Sequence, residues 1–72
     1  MEGNISPITV IANTGIVLSK LQSIKGCGFY ELFVYSGLRE IDFYMACGYL
    51  LNENRIVFYN EEGRICIKLK SE

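Results

Sequence analysis

The sequence predicts an α+β fold in which three helices are followed by a two-stranded β-hairpin. Two observations predict it. Apolar residues recur at helical spacing through residues 7–54, with two glycine-containing breaks, and then alternate with polar residues through residues 64–70. The 72 residues make one domain, which buries only about 60% of its extended surface. A domain this small gains from a further source of stability, and self-association is the source that this composition favours.

The first helix is predicted over residues 7–23. Ser6 can cap the free amide groups, and Pro7 fits the first helical position because no N–H donor is needed there. At about 100° per residue, one broad apolar face is expected to form the core side: Val10, Ile11, Val17, Leu18, Leu21 and Ile24. A second apolar stripe lies on nearly the opposite side: Ile8, Ala12 and Ile16. A second stripe is unexpected in a monomer, so it indicates a protein interface.

Two further helices are predicted after a glycine-containing break at residues 25–28. The second helix covers residues 29–36, and its core residues are expected to be Phe29 and Leu32, with Phe33 or Tyr35. Gly37 suits the left-handed position that ends a helix. The third helix is predicted over residues 39–54, with one face toward the core: Phe43, Ala46, Cys47, Leu50 and Leu51.

The hairpin is predicted from strands over residues 55–59 and 64–70, joined by a loop at residues 60–63. Ile56 and Phe58 of the first strand are expected to face inward. In the second strand inward and outward residues alternate: Ile65, Ile67 and Leu69 inward, and Arg64, Cys66, Lys68 and Lys70 outward. A short helix, a glycine turn and a longer helix make a helix-turn-helix, and the added hairpin makes a winged helix.

Charge and composition argue against several functions. The net charge is −1 and the isoelectric point is near 5.4, whereas free-standing nucleic-acid binders usually exceed about 9. The chain has no histidine, so we expect no Ser-His or Cys-His nucleophile, no metal site, no cofactor and no enzyme activity. The three cysteines, Cys27, Cys47 and Cys66, lack CxxC spacing and are expected to be free thiols in a reducing compartment.

A cytoplasmic location without membrane contact is expected from the apolar segments. Glu2 stands where a secretory signal would carry a basic residue, and no apolar run resembles a signal core. The longest apolar run covers residues 43–51, far short of the about 20 residues that a membrane span needs.

The turn and helix motifs of the chain carry a family resemblance. In chain order they are Asn13-Thr14-Gly15 with Val17-Leu18, Glu31-Leu32, Ser36-Gly37-Leu38, YMACGYL at residues 44–50 and ENRI at residues 53–56. They resemble the NAG-x-VW, TGL, ALGWL and RED-K-I motifs of small winged helix-turn-helix proteins from uncharacterised bacterial families. The resemblance extends over about residues 13–69. It consists of packing and turn residues, so it is specific for the fold rather than for an activity.

The resemblance implies a compact winged helix that is described in general terms as DNA-binding-like and is often homodimeric, with no assigned function. The chain departs from the family pattern at Asn52, where those proteins tend to carry arginine, and at Tyr49, where they carry tryptophan. The missing arginine removes a positive charge from the third helix and weakens the expectation of DNA contact.

DNA contact is expected to be weak and confined to the backbone. In a winged helix the third helix enters the major groove and the wing contacts the neighbouring backbone. Only Asn52 on the exposed side of this helix is a good reader of base edges. The candidate nucleic-acid contacts are Arg39, Asn52, Arg55, Arg64, Lys68 and Lys70. Five carboxylates near the third helix and the wing tip are expected to repel phosphate: Glu40, Asp42, Glu53, Glu61 and Glu62.

The exposed side of the third helix is better suited to a protein interface. Ile41, Met45 and Tyr49 recur at i, i+4 and i+8, and exposed apolar clusters usually mark interfaces. In the alternative interpretation the helix is rotated and these three residues belong to the core. The candidate interface residues from both stripes are Ile8, Ala12, Ile16, Ile41, Met45 and Tyr49, and the sequence leaves open which stripe forms the contact.

The sequence therefore predicts a non-enzymatic winged helix-turn-helix module that resembles a transcription regulator. We expect a homodimer with at most weak, backbone-type binding to double-stranded DNA. The alternative is a winged helix that binds an unidentified protein and no DNA.

Overall fold

The computed structural model describes residues 6–70 of the chain, so Glu2, used above to argue against a secretory signal, lies outside the described residues. Within residues 6–70 the elements are α1 (Pro7–Gln22), β1 (Cys27–Gly28), α2 (Phe29–Ser36), α3 (Glu40–Asn52), β2 (Ile56–Glu61) and β3 (Arg64–Leu69). The predicted α+β winged-helix class is confirmed. One element, the short strand β1, was not part of the predicted two-stranded wing.

The helix ends follow from local backbone chemistry. At the start of α1 the side-chain oxygen of Ser6 accepts a hydrogen bond from the Ile8 N–H at 3.1 Å. Helix α2 ends at Gly37, whose φ of 74° lies in the left-handed region that glycine adopts without strain. Helix α3 is shorter than the predicted range 39–54. Arg39 has the extended backbone of an N-cap, and Asn54 takes a φ of 63° that no helical residue can have.

The sheet places β3 between the other two strands, in the order β1-β3-β2, and both pairings are antiparallel. The β2–β3 register pairs Ile56 with Leu69 and Glu61 with Arg64, so the loop contains only Glu62 and Gly63. Both loop residues have positive φ, as a two-residue hairpin turn requires. The hairpin is therefore tighter, and β2 extends further, than the predicted four-residue loop implied.

The core lies between the three helices and the inner face of the sheet. Its fully buried members are Val17, Leu21, Leu32, Phe43, Ala46, Cys47, Leu50, Ile56 and Ile67. Phe43 is fully buried, and its ring centroid lies 5.1 Å from that of Phe29 and 5.3 Å from that of Phe33. Phe33 rather than Tyr35 therefore fills the position that the sequence left open, because Tyr35 is exposed.

Several residues that were predicted to face the core are exposed. Ile11 is at the edge of the buried stripe of α1, where α3 covers it only in part. Leu51 lies about 100° around the helix from Leu50, outside the narrow stripe that α3 buries. Phe58 faces inward by register and packs against Phe29, but it also remains partly exposed.

The predicted alternation fails at the hairpin end of β3. Ile65 is exposed and Cys66 is buried, the reverse of the prediction. Strand β1 pairs with β3 only at Cys66 and Ile67, so Ile65 lies beyond the part of the strand that β1 covers. Cys66 is on the outer face of the sheet, with Tyr59 of β2 on one side of it and Gly28 of β1 on the other.

Candidate functional site

The solvent side of α3 is the surface that a helix-turn-helix would present to a DNA groove. Ile41, Met45 and Tyr49 lie on this side, with 53%, 40% and 39% of their surfaces exposed. They are therefore outside the core, as the first of the two interpretations expected. Residues 43–52 contain no charged side chain at all. Asn52 is exposed at the last position of the helix. The middle of α3 thus presents an apolar and aromatic surface.

The charges near the start of α3 are mostly negative. Arg39 is largely exposed, but its Nε lies 3.0 Å from the Asp42 carboxylate and donates a hydrogen bond to it. The Tyr44 hydroxyl donates to the Glu40 carboxylate at 3.1 Å, and this bond raises the pKa of Tyr44. Arg39 is thus already paired, and the two carboxylates at this end of the helix oppose the approach of phosphate.

An apolar groove runs between the first turns of α1 and the solvent side of α3. It has a volume of about 270 Å³ and is lined by Pro7, Val10, Ile11, Met45 and Tyr49. Ile11 is 54% exposed within it. Periodicity assigns Ile11 to the core because it lies at the edge of the buried face of α1, whereas the structure exposes it. Its distance around the helix from Val17 is the signal that could have revealed it.

The second apolar stripe of α1, formed by Ile8, Ala12 and Ile16, extends the apolar surface of the groove around the helix. Ile8 is one turn before Ile11 and is 77% exposed, and Ala12 and Ile16 are exposed further around. No charged residue occurs in residues 7–19. The structure therefore brings the α3 stripe next to Ile11, with Ile8 adjoining it, while Ile16 remains on a separate part of α1.

Most of the predicted DNA-contacting cations are on the outer face of the sheet. By strand alternation, Arg64, Lys68 and Lys70 share this face, and Arg55 is across from Lys70, whose N–H donates to the Arg55 carbonyl at 3.0 Å. Arg39 and Asn52 are on α3 instead. The structure thus brings together four of the six predicted nucleic-acid contacts and separates the other two.

Arg64 differs from the other cations of this face because it is paired. Its guanidinium lies 2.9 Å from the Glu31 carboxylate, which also accepts a hydrogen bond from the Gly28 N–H at 3.0 Å. These two contacts, the bond from Gly28 first, lower the pKa of Glu31. The pair packs over Gly28, where a Cβ atom would lie 2.5 Å from the Arg64 guanidinium. Arg64 therefore has a structural role at the start of α2.

The three cysteines are free thiols. Cys47 and Cys66 are buried, and Cys27 is partly buried. Burial raises the pKa of Cys47 to about 12, and burial is also the main cause that raises the pKa of Cys27. Such thiols stay protonated at neutral pH and are poor nucleophiles or metal ligands. Within residues 6–70, no three His, Cys, Asp or Glu residues are grouped closely enough to hold a metal ion. No helix of this part of the chain is long and apolar enough to span a membrane.

Comparison with known proteins identifies a family by sequence pattern. The pattern of the family described as "Winged helix-turn-helix domain (DUF2582)" matches residues 1–69, nearly the whole chain. No curated protein matches the sequence. The match is in accord with the helices, turn and wing described above.

Proposed function

Because this chain belongs to the DUF2582 family of winged helix-turn-helix domains, we propose that it is a cytoplasmic regulatory module that self-associates through the groove between α1 and α3. DNA contact, in this proposal, is weak and uses the phosphate backbone alone. The observation that carries the proposal is the exposed and uncharged solvent side of α3. Three free thiols support a reducing compartment.

The chemistry of α3 favours protein contact over base reading. Base edges are read by bidentate hydrogen bonds from Arg, Lys, Asn or Gln, and the backbone is held by cations. On α3 the exposed side chains are instead Ile41, Met45 and Tyr49, with Asn52 at the end. Methionine and tyrosine are enriched at protein interfaces because they offer large and adaptable contact surfaces.

The size of the exposed apolar surface fits a dimer. The exposed parts of Ile8, Ile11, Ile41, Met45 and Tyr49 amount to on the order of 500 Å², taking about 200 Å² for a large side chain. A standard interface buries about 800 Å² per partner, of which about 65% is apolar in homodimers. The apolar surface around the groove is therefore as large as one side of such an interface.

A second copy of the chain is the partner that the charge pattern favours. In a two-fold dimer the same patch meets itself, so a patch carrying one sign of charge would repel its own copy. Residues 7–19 and 43–52, which supply both walls of the groove, carry no charge of either sign. The alternative partner is a different protein with an apolar contact surface. The acidic wing tip, with Glu61 and Glu62, favours that alternative over a function that depends on DNA.

Oxidative footprinting tests self-association at this surface. Hydroxyl radicals label exposed methionine and tyrosine, so a dimer contact protects them. We expect labelling of Met45 and Tyr49 to fall as the protein concentration rises, while labelling of Tyr30 stays constant. Tyr30 is a matched control because it is exposed on α2, away from the groove. Equal labelling of Met45 in dilute and concentrated protein would contradict the proposal.

A further inference from the structure

The positive charges of the chain are concentrated on one side of the sheet. Of the seven Lys and Arg residues, Arg55, Arg64, Lys68 and Lys70 are on its outer face. Arg64 is paired with Glu31. The other three residues form what we call the basic sheet face: Arg55, Lys68 and Lys70. The net charge of −1 therefore hides a local excess of positive charge.

The strand register sets the spacing of this face. Arg55 is across from Lys70, which directly follows β3, and Lys68 is two residues earlier on β3, so their side chains leave the same side of the sheet. Residues two apart on a strand are separated by about 7 Å. The basic sheet face is thus a row of cations along the base of the wing, on the side away from the acidic tip.

These three cations are free to bind an anion. Within residues 6–70 the ion pairs are Arg39 with Asp42 and Arg64 with Glu31, and neither uses a member of the basic sheet face. Glu61 is at the tip end of β2, and Glu31 is held by Arg64. Glu53, at the end of α3, is two residues before Arg55 in the chain. The unpaired cations are therefore concentrated at the base of the wing.

Tyr59 orders part of the face. The Lys68 ammonium lies over the Tyr59 ring, 5.2 Å from its centroid, in a cation–π contact. The Tyr59 hydroxyl lies so close to Gly26 that a Cβ atom there would be 2.8 Å from it. Since Tyr59 contacts both Lys68 and Gly26, it holds Lys68 against the neighbouring segment and limits the motion of its side chain.

We propose that the basic sheet face binds the phosphate backbone of duplex DNA, independently of base sequence. The proposal rests on the DNA-contact part of the proposed function and adds the surface that makes the contact. It confines that contact to the outer side of the wing, so that Arg39 and Asn52 of α3 take no part in it. Phosphate is attracted by a local cluster of cations. A chain with a low isoelectric point can therefore bind DNA weakly through such a cluster.

The shape of the face favours duplex DNA over two other anionic partners. Single-stranded nucleic acid is held by stacking on free aromatic rings, but the one ring here, Tyr59, is packed against Gly26 and Lys68. Membrane surfaces are bound by basic faces that also insert apolar side chains. The apolar residues on the same side of the sheet, Val57 and Cys66, are half-buried and buried.

The salt dependence of binding tests the proposal. Fluorescence anisotropy with a short labelled duplex of arbitrary sequence gives Kd at several salt concentrations. For three cations, log Ka is expected to fall against log salt with a slope of about −2.7, at about −0.9 per phosphate contact. Replacing Lys68→Gln and Lys70→Gln together is expected to reduce the slope to about −0.9. A second duplex of scrambled sequence is expected to bind equally well.

A double variant with the same charge change provides the control. Lys20→Gln with Arg39→Gln removes two cations from α1 and from the start of α3, and we expect the wild-type slope. Equal slopes for the two double variants would overturn the proposal, as would no binding by the wild type at low salt. Tighter binding to the single strand, or to vesicles of anionic phospholipid, would also overturn it.

Sedimentation of the same proteins separates this proposal from self-association. The Lys68→Gln, Lys70→Gln variant is expected to keep the oligomeric state of the wild type. If the wild type is a monomer but the variant has a smaller salt slope than the wild type, self-association is contradicted and DNA binding by the basic sheet face is not. If the wild type is a dimer and the variant has the same salt slope, DNA binding by the basic sheet face is contradicted and self-association is not.

Discussion

Replacing Phe43 with alanine is expected to lower the free energy of unfolding by about 3–5 kcal/mol. Phe43 is fully buried at the centre of the core, and its ring packs against the rings of Phe29 and Phe33. The substitution removes these contacts and leaves a cavity between α2 and α3. A chain of 72 residues has a total stability of roughly 4–10 kcal/mol, so the variant would lie close to unfolding.

Urea unfolding followed by circular dichroism measures this loss. Val34→Ala is the matched control, because Val34 is an exposed apolar residue of α2 and its truncation is expected to cost less than about 0.5 kcal/mol. If the Phe43→Ala variant does not fold, Phe43→Leu can be measured in its place, and it is expected to lower the free energy of unfolding by about 1 kcal/mol. Equal losses for the Phe43 and Val34 variants would contradict the described core.

Replacing Met45 with aspartate is expected to dissociate the proposed dimer. Met45 lines the groove between α1 and α3, so in a two-fold dimer each copy would bury a new carboxylate without a partner. A penalty of about 3 kcal/mol raises the dimer Kd by about a hundredfold or more. The fold is expected to remain intact, because Met45 is already partly exposed in the single chain.

Sedimentation velocity and circular dichroism together check this expectation. We expect Met45→Asp to be monomeric with the helix content of the wild type. Ile16→Asp places the same charge on the other stripe, which is exposed on α1 away from the groove, and is expected to remain dimeric. The opposite pattern, a monomeric Ile16 variant and a dimeric Met45 variant, would assign the contact to the α1 stripe.

The architecture could be predicted because its signals are local. Ser6 and Pro7 mark the start of α1, Gly37 ends α2 through a left-handed backbone, and Gly63 lies in the hairpin turn. Each of these depends on the chemistry of one or two residues. One or two extended residues are compatible with the break at residues 25–28, but the pairing of β1 with β3 could not be predicted, because a two-residue strand leaves no periodic pattern in a sequence.

The surfaces were predicted less completely, because they depend on packing between distant segments. Periodicity identified Met45 and Tyr49 as exposed, but only the contact between α1 and α3 shows that Ile11 shares their groove. Likewise, Lys68 and Lys70 were recognised as outward residues. The pairing of Arg64 with Glu31 and the approach of Gly26 to Lys68 depend on the folded register, which no spacing in the sequence reveals.

Sedimentation equilibrium of the wild-type protein over a wide range of concentration tests the central claim most directly. If the chain self-associates as proposed, the apparent mass is expected to rise from that of the 8.2 kDa chain to twice that value as concentration increases. The solvent side of α3 would then have a partner without any DNA being present. An apparent mass of 8.2 kDa at every concentration would contradict the account.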